Sequence, residues 1–309
     1  MEQTREDLTP VRRSFSHLGW AMLIYNALMS IVVMAFVFID ALQAELMGTA
    51  VDSSGWGYLL AIAIGVILLL LWKKPGYFRT MFTHRGKPMK LGRFLALVMV
   101  CLGAQVISQL AVLLLELVLS QFGLSVLEYL ETLDTGDTLA MFLYVSLGAP
   151  IAEELLFRGL VCGTMVPYGK KFAILTSAFL FGLFHGNLIQ IPFAFAVGLV
   201  LGYVAVEYNL FWAMALHMFN NLIYADTFPR LLRVWTPRWE NLLGWCVLIL
   251  AGLASLVILL VKLTPIVAYL RRNPNRKGTL RAFWTAPGIL VMVILMTLST
   301  LATVFLMVV

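Results

Sequence analysis

Apolar residues run along this chain in blocks of about 20, the length that crosses a bilayer as helix, separated by short polar stretches. The first block covers about Leu18–Phe38, behind a polar arm carrying Arg12 and Arg13. It is too long for a signal-peptide core and reads as a retained span. A second, about Gly57–Trp72, ends at Lys73-Lys74-Pro75 and gives way to the basic loop "KKPGYFRTMFTHRGKPMK". A third runs from near Leu91 to near Phe122 and is followed by the acidic stretch "LEYLETLDTGD". A fourth begins near Thr138 and closes at "PYGKK". Blocks at about 172–189, 191–206 and 210–225 follow with very short connections. After "TFPRLLRVWTPRWEN", which reads as an interfacial amphipathic segment, come Leu242–Leu263 and Ala282–Val309, parted by "RRNPNRKG". The pattern predicts an all-α polytopic membrane protein with about eight or nine transmembrane helices.

Composition agrees. Of 309 residues, 61% are hydrophobic and 12% charged, against roughly 25% charged in soluble domains. The net charge of +6 is concentrated in short loops, the positive-inside signature rather than a nucleic-acid footprint. Alternating sides from a cytoplasmic N-terminus puts every strongly basic loop inside and the acidic stretch outside. Only 227–241, with Arg230, Arg233 and Arg238, is discordant. The expected location is therefore a multi-pass one, in the cell membrane if the source is bacterial. Cys101, Cys162 and Cys246 fit neither a metal-ligand spacing nor a disulfide framework.

Charges inside apolar blocks are costly and mark function. The candidates are Glu116, Glu153, Glu154, Arg158, His185, His217 and Lys262. Glu116 and Lys262 lie near block ends, where they can stay wet. The other five fall within 153–217, on three separate predicted helices. Glu153 and His185 each lie 14 residues from the end of their block, about 21 Å deep at 1.5 Å per residue. His217, eight residues in, sits somewhat shallower. All can meet in one intramembrane chamber.

Spacing sorts their roles. Glu154 and Arg158 are i,i+4 in the favourable order for an ion pair. Glu153, rotated about 100°, can face the chamber alone. His217 and Asn221 share a helical face, Phe181 can wall His185, and Pro150 frees a carbonyl one turn earlier. These are parts of a hydrolytic site: a carboxylate to activate water, imidazoles to hold it, donors for an oxyanion. A merely structural polar network would be built more cheaply from neutral Asn, Ser and Thr.

Three stretches carry a resemblance. "EELLFR" (Glu153, Glu154, Arg158), "FGLFH" (Phe181 to His185) and "HMFNN" (His217 to Asn221) resemble the EExxxR, FxxxH and HxxxN/D motifs of the CAAX-protease and bacteriocin-processing (CPBP, Abi) family. The match covers about 138–226, between an N-terminal helical part at 1–137 and a C-terminal one at 227–309. It implies an intramembrane endopeptidase akin to type II CAAX prenyl endopeptidases. By that resemblance Glu153 and His185 activate water, His217 and Asn221 stabilise the oxyanion, and Glu154 and Arg158 position Glu153. The implied partner is a hydrophobic, lipidated or leader-bearing peptide in the lipid bilayer, with no nucleic acid. The family is often called a metalloprotease; Zn²⁺ would take Glu153, His185 and His217. A metal-free glutamate mechanism is preferred, because it uses every motif residue once. The rivals are a non-catalytic bacteriocin-immunity or scaffold member of the family, and a proton- or ion-coupled transporter.

Overall fold

Helices take up the apolar blocks and often run past them. The computed structural model describes residues 8–48, 55–84, 86–123, 125, 138–223 and 237–306, with backbone alone at 237–241 and 304–306. The acidic stretch 128–137 and most of the amphipathic segment 227–241 lie outside the described residues. The helices are α1 Thr9–Met47, α2 Trp56–Thr83, α3 Leu91–Phe122 and α4 Leu139–Tyr168. Then come α5 Lys170–Phe184, α6 Gln190–Glu207, α7 Leu210–Asn221 and α8 Pro237–Val261. The last are α9 Leu263–Arg272, α10 Thr279–Trp284 and α11 Pro287–Leu306. Among the described residues, six helices are long and apolar enough to cross a membrane: α1 to α4, α6 and Leu242–Val261 of α8. The protein is an all-α polytopic membrane protein. The expected spans at 172–189 and 210–225 hold shorter helices of 15 and 12 residues, and that at 282–309 is split by the break between α10 and α11.

Two expected loops are helical. The arm with Arg12 and Arg13 is the first turn of α1, started by Pro10, whose fixed φ suits that position. The basic stretch after Trp72 continues α2 to Thr83, beyond a kink at Lys74 (φ 57°) with Pro75 next. What holds this second half is burial: Phe78 is 2% exposed, and the Tyr77 hydroxyl donates to the Gly159 carbonyl at 3.3 Å.

The main core joins Phe15 of α1, Phe78 of α2, Phe157 of α4, Phe172 of α5 and Phe283 of α10. Outward faces of α1 and α8 expose Ile31, Phe38, Leu250 and Leu260, as lipid-facing helices do. Gly198 and Gly202 let α6 approach α5: a Cβ on Gly198 would lie 3.1 Å from the Ala178 Cα.

The basic segments gather at one end. Glu207, at the foot of α6, binds Lys87 Nζ at 2.6 Å and Lys170 Nζ at 2.7 Å, and accepts from the Tyr269 hydroxyl at 3.0 Å. The Lys87 backbone N–H donates to the Glu207 carbonyl, and the Arg276 N–H to the Tyr168 carbonyl. Glu207, absent from the candidate charges above because it follows the last apolar residue of its block, thus joins three basic segments. Its bond to Lys87 holds that ammonium above the ordinary lysine range. Burial, with Glu207 beside it, raises the Tyr269 phenol.

Candidate active site

Helix α4 is irregular where the motif sits. Thr138 caps it by accepting from the Met141 N–H at 3.2 Å. It passes through π-helical turns at Tyr144–Gly148 and Glu154–Cys162, bulges that recur at functional sites. In the first, the Ala149 N–H reaches the Tyr144 carbonyl five residues back. The next bond in that register would come from Pro150, which has no N–H. Asn221 on α7 supplies the missing donor: its Nδ2 bonds the Val145 carbonyl at 3.0 Å. In the second bulge, Ser177 donates to the Phe157 carbonyl at 2.8 Å.

This helix carries the two glutamates into different surroundings. Glu154 is fully buried; its Oε1 lies 3.1 Å from Arg158 Nη1, an ion pair not aligned as a hydrogen bond. The same oxygen lies 2.9 Å from His217 Nδ1. Arg158 also donates to the Gly198 carbonyl at 3.3 Å and stacks over Phe181, 4.2 Å from the ring centroid. The Glu153 side chain keeps 30% exposure, with Oε2 3.7 Å from His217 Nε2. His217 therefore stands between the glutamates. Glu154 touches Arg158 and His217, and it is through His217 that it stands next to Glu153.

His185 falls just past the end of α5 rather than within it, because Gly186 turns left-handed (φ 61°) and stops the helix. Its Nδ1 is bonded to the Phe181 carbonyl at 2.8 Å, while Nε2 has no hydrogen bond among the described residues. The Phe181 ring lies edge-on to both His185 and His217, at 4.8 and 5.8 Å, which explains a phenylalanine one turn before the histidine.

Glu153, His185, His217, Asn220 and Asn221 line one cavity of about 430 Å³. Five of the six motif candidates are thus brought to or beside it, Glu154 through His217; Arg158 lies behind them. Asn220, which the sequence offers beside Asn221 but off the i,i+4 face of His217, lines the cavity as well. One feature escaped the sequence reading. Gln105, Ser108 and Gln109 bring α3, outside the motif region, to the same cavity. The signal was there: three polar residues at i, i+3, i+4 in an apolar helix.

A zinc ion would need three of these side chains converging within bonding distance, with one position open. Among the described residues no group of three His, Cys, Asp or Glu side chains is gathered to hold a metal ion. Glu154 holds His217 Nδ1, so Nε2 is the ring nitrogen turned toward Glu153.

Residues 135–223 match the family model of type II CAAX prenyl endopeptidase Rce1-like proteins. The resemblance carried by the three motifs is borne out over this Rce1-like segment, and the family is one of proteases. No curated protein and no solved structure matches the chain. The Rce1-like segment contains the whole of α5 and α6, all of α7, and every motif residue.

Proposed function

We propose that the protein is an intramembrane endopeptidase that hydrolyses hydrophobic or membrane-associated peptides with water activated by Glu153. The observation that carries this is the division of the glutamate pair around His217, one locked against Arg158 and one open to the cavity. In the sequence of events, a Glu153 oxygen takes a proton from water held with His185. The resulting hydroxide adds to the scissile carbonyl carbon, and negative charge moves to its oxygen. His217, with its Nδ1 fixed by Glu154, and the amide of Asn221 donate to that oxyanion. Glu153 then returns the proton to the amide nitrogen as the C–N bond breaks. The basic segments gathered around Glu207 face the cytoplasm in this reading, following the positive-inside rule.

The test is cleavage of fluorogenic hydrophobic peptides, prenylated and not, by purified protein in proteoliposomes. Glu153→Gln is expected to lose about 10²–10⁴-fold in rate, the range of a general base, with its thermal midpoint unchanged. Exhaustive chelation is expected to leave wild-type activity intact. Full activity in Glu153→Gln removes the proposed base. Activity lost on chelation and regained with zinc replaces the metal-free route by a metal one. A wild type that cleaves nothing favours the non-catalytic scaffold reading.

A further inference from the structure

The wall contributed by α3 has no role in the chemistry above. Gln105, Ser108 and Gln109 line the cavity together with the motif residues, and Gln105 is only 6% exposed. Their amide and hydroxyl groups are not among the sealed-off, unpartnered polar atoms of the described residues; they open on the cavity, where the polar groups of a ligand can meet them. All three lie outside the segment matched by the family model.

The geometry points to a rail for a peptide backbone: we propose that Gln105, Ser108 and Gln109 bind the extended main chain of the substrate beside Glu153. This rests on the proteolytic reading only in taking the ligand to be a peptide. The spacing suits the task. Residues i and i+4 on a helix are about 6 Å apart along the axis, close to the roughly 6.6–6.8 Å between alternate residues of a strand. Gln105 and Gln109 can therefore each pair with one peptide group along the same edge of an extended chain. A primary amide offers both donor and acceptor, the pair that a peptide group requires. A peptide brought into a membrane must have its N–H and C=O groups satisfied by protein. A phosphorylated headgroup would instead call for cations, and an acyl or isoprenoid chain for an apolar wall.

The experiment compares the wild type with Gln105→Leu, Gln109→Leu and the double variant, each of nearly unchanged volume. Peptide cleavage gives kcat and KM. Binding of a dye-labelled hydrophobic decapeptide to each form, in the Glu153→Gln background, gives affinity without turnover. The double variant is expected to raise KM and the dissociation constant about tenfold, with kcat little changed and the thermal midpoint equal or higher. Methylating the matching peptide nitrogens should weaken binding to the wild type and have no further effect on the double variant. Cleavage with unchanged KM and binding overturns the rail and leaves the protease reading intact. Binding lost in the variants, with no cleavage by the wild type, keeps the rail and removes the protease. A lowered midpoint with unchanged peptide binding assigns the three residues to structure and overturns the rail.

Discussion

At the scale of single residues, Glu154 and Glu153 differ by one position and by nearly everything else. Glu154 is the carboxylate paired with a guanidinium that is itself 2% exposed, and its Oε2 and the Arg158 Nε have no hydrogen-bond partner among the described residues. Removing the charge strands Arg158 in a place where water cannot reach it. Glu154→Gln is therefore expected to lower stability by about 3–5 kcal/mol, read as thermal unfolding in detergent. Adding Arg158→Leu should recover much of the loss, because the stranded charge is then gone. If the single variant melts with the wild type, the pair carries no structural weight. The Glu154–Arg158 pair was legible from i,i+4 spacing alone. The His217–Glu154 contact was not, since those residues are 63 positions apart and only the packing of α7 on α4 joins them.

Among the helices, the irregularity of α4 is what brings the motif to the cavity, and Pro150 and Asn221 share in producing it. Asn221→Ala leaves the Val145 carbonyl without its donor, at a cost of about 1–3 kcal/mol. In a Pro150→Ala background residue 150 regains an N–H that can reach that carbonyl, so the same substitution should cost much less. A double-mutant cycle on unfolding free energy measures this; additive effects would contradict the shared carbonyl. Under the proposed mechanism, a loss of activity from Asn221→Ala should persist in both backgrounds, because the amide proposed to donate to the oxyanion is absent either way. Pro150 itself signalled a disturbance of α4 from the sequence. Its repair by a side chain 76 residues away did not. The same limit hid the second half of α2, where basic residues at its surface outweighed the buried Phe78, and the end of α5, where Gly186 is one glycine among 23.

For the molecule as a whole, the basic segments were readable from charge, while the device that gathers them at one end was not. Apolar block lengths and basic loops gave the membrane class and a common side. They left Glu207 as one acid at the foot of α6, and only the fold shows it meeting Lys87, Lys170 and Tyr269. Both lysines are about half exposed, 51% and 43%, so either can turn to water when its partner is lost. The cost of Glu207→Gln should accordingly be smaller than that of Glu154→Gln, about 1–2 kcal/mol after allowing for solvent screening. A lysine whose folded pKa is raised adds stability that is fully present below its unfolded value near 10.4 and is lost as pH rises through the folded value. The contribution of Lys87 should thus be constant from pH 7 to 9 and fall only in stronger alkali. Hydrogen exchange gives the sharper reading: in Glu207→Gln the amides around Lys87 and at the start of α5 should exchange faster, while those of α7 keep their protection. Peptide cleavage per folded molecule should not change, since Glu207 is not among the residues lining the cavity. Unchanged exchange at both segments would mean that they are held by apolar packing, and that the two lysines are as well served by water.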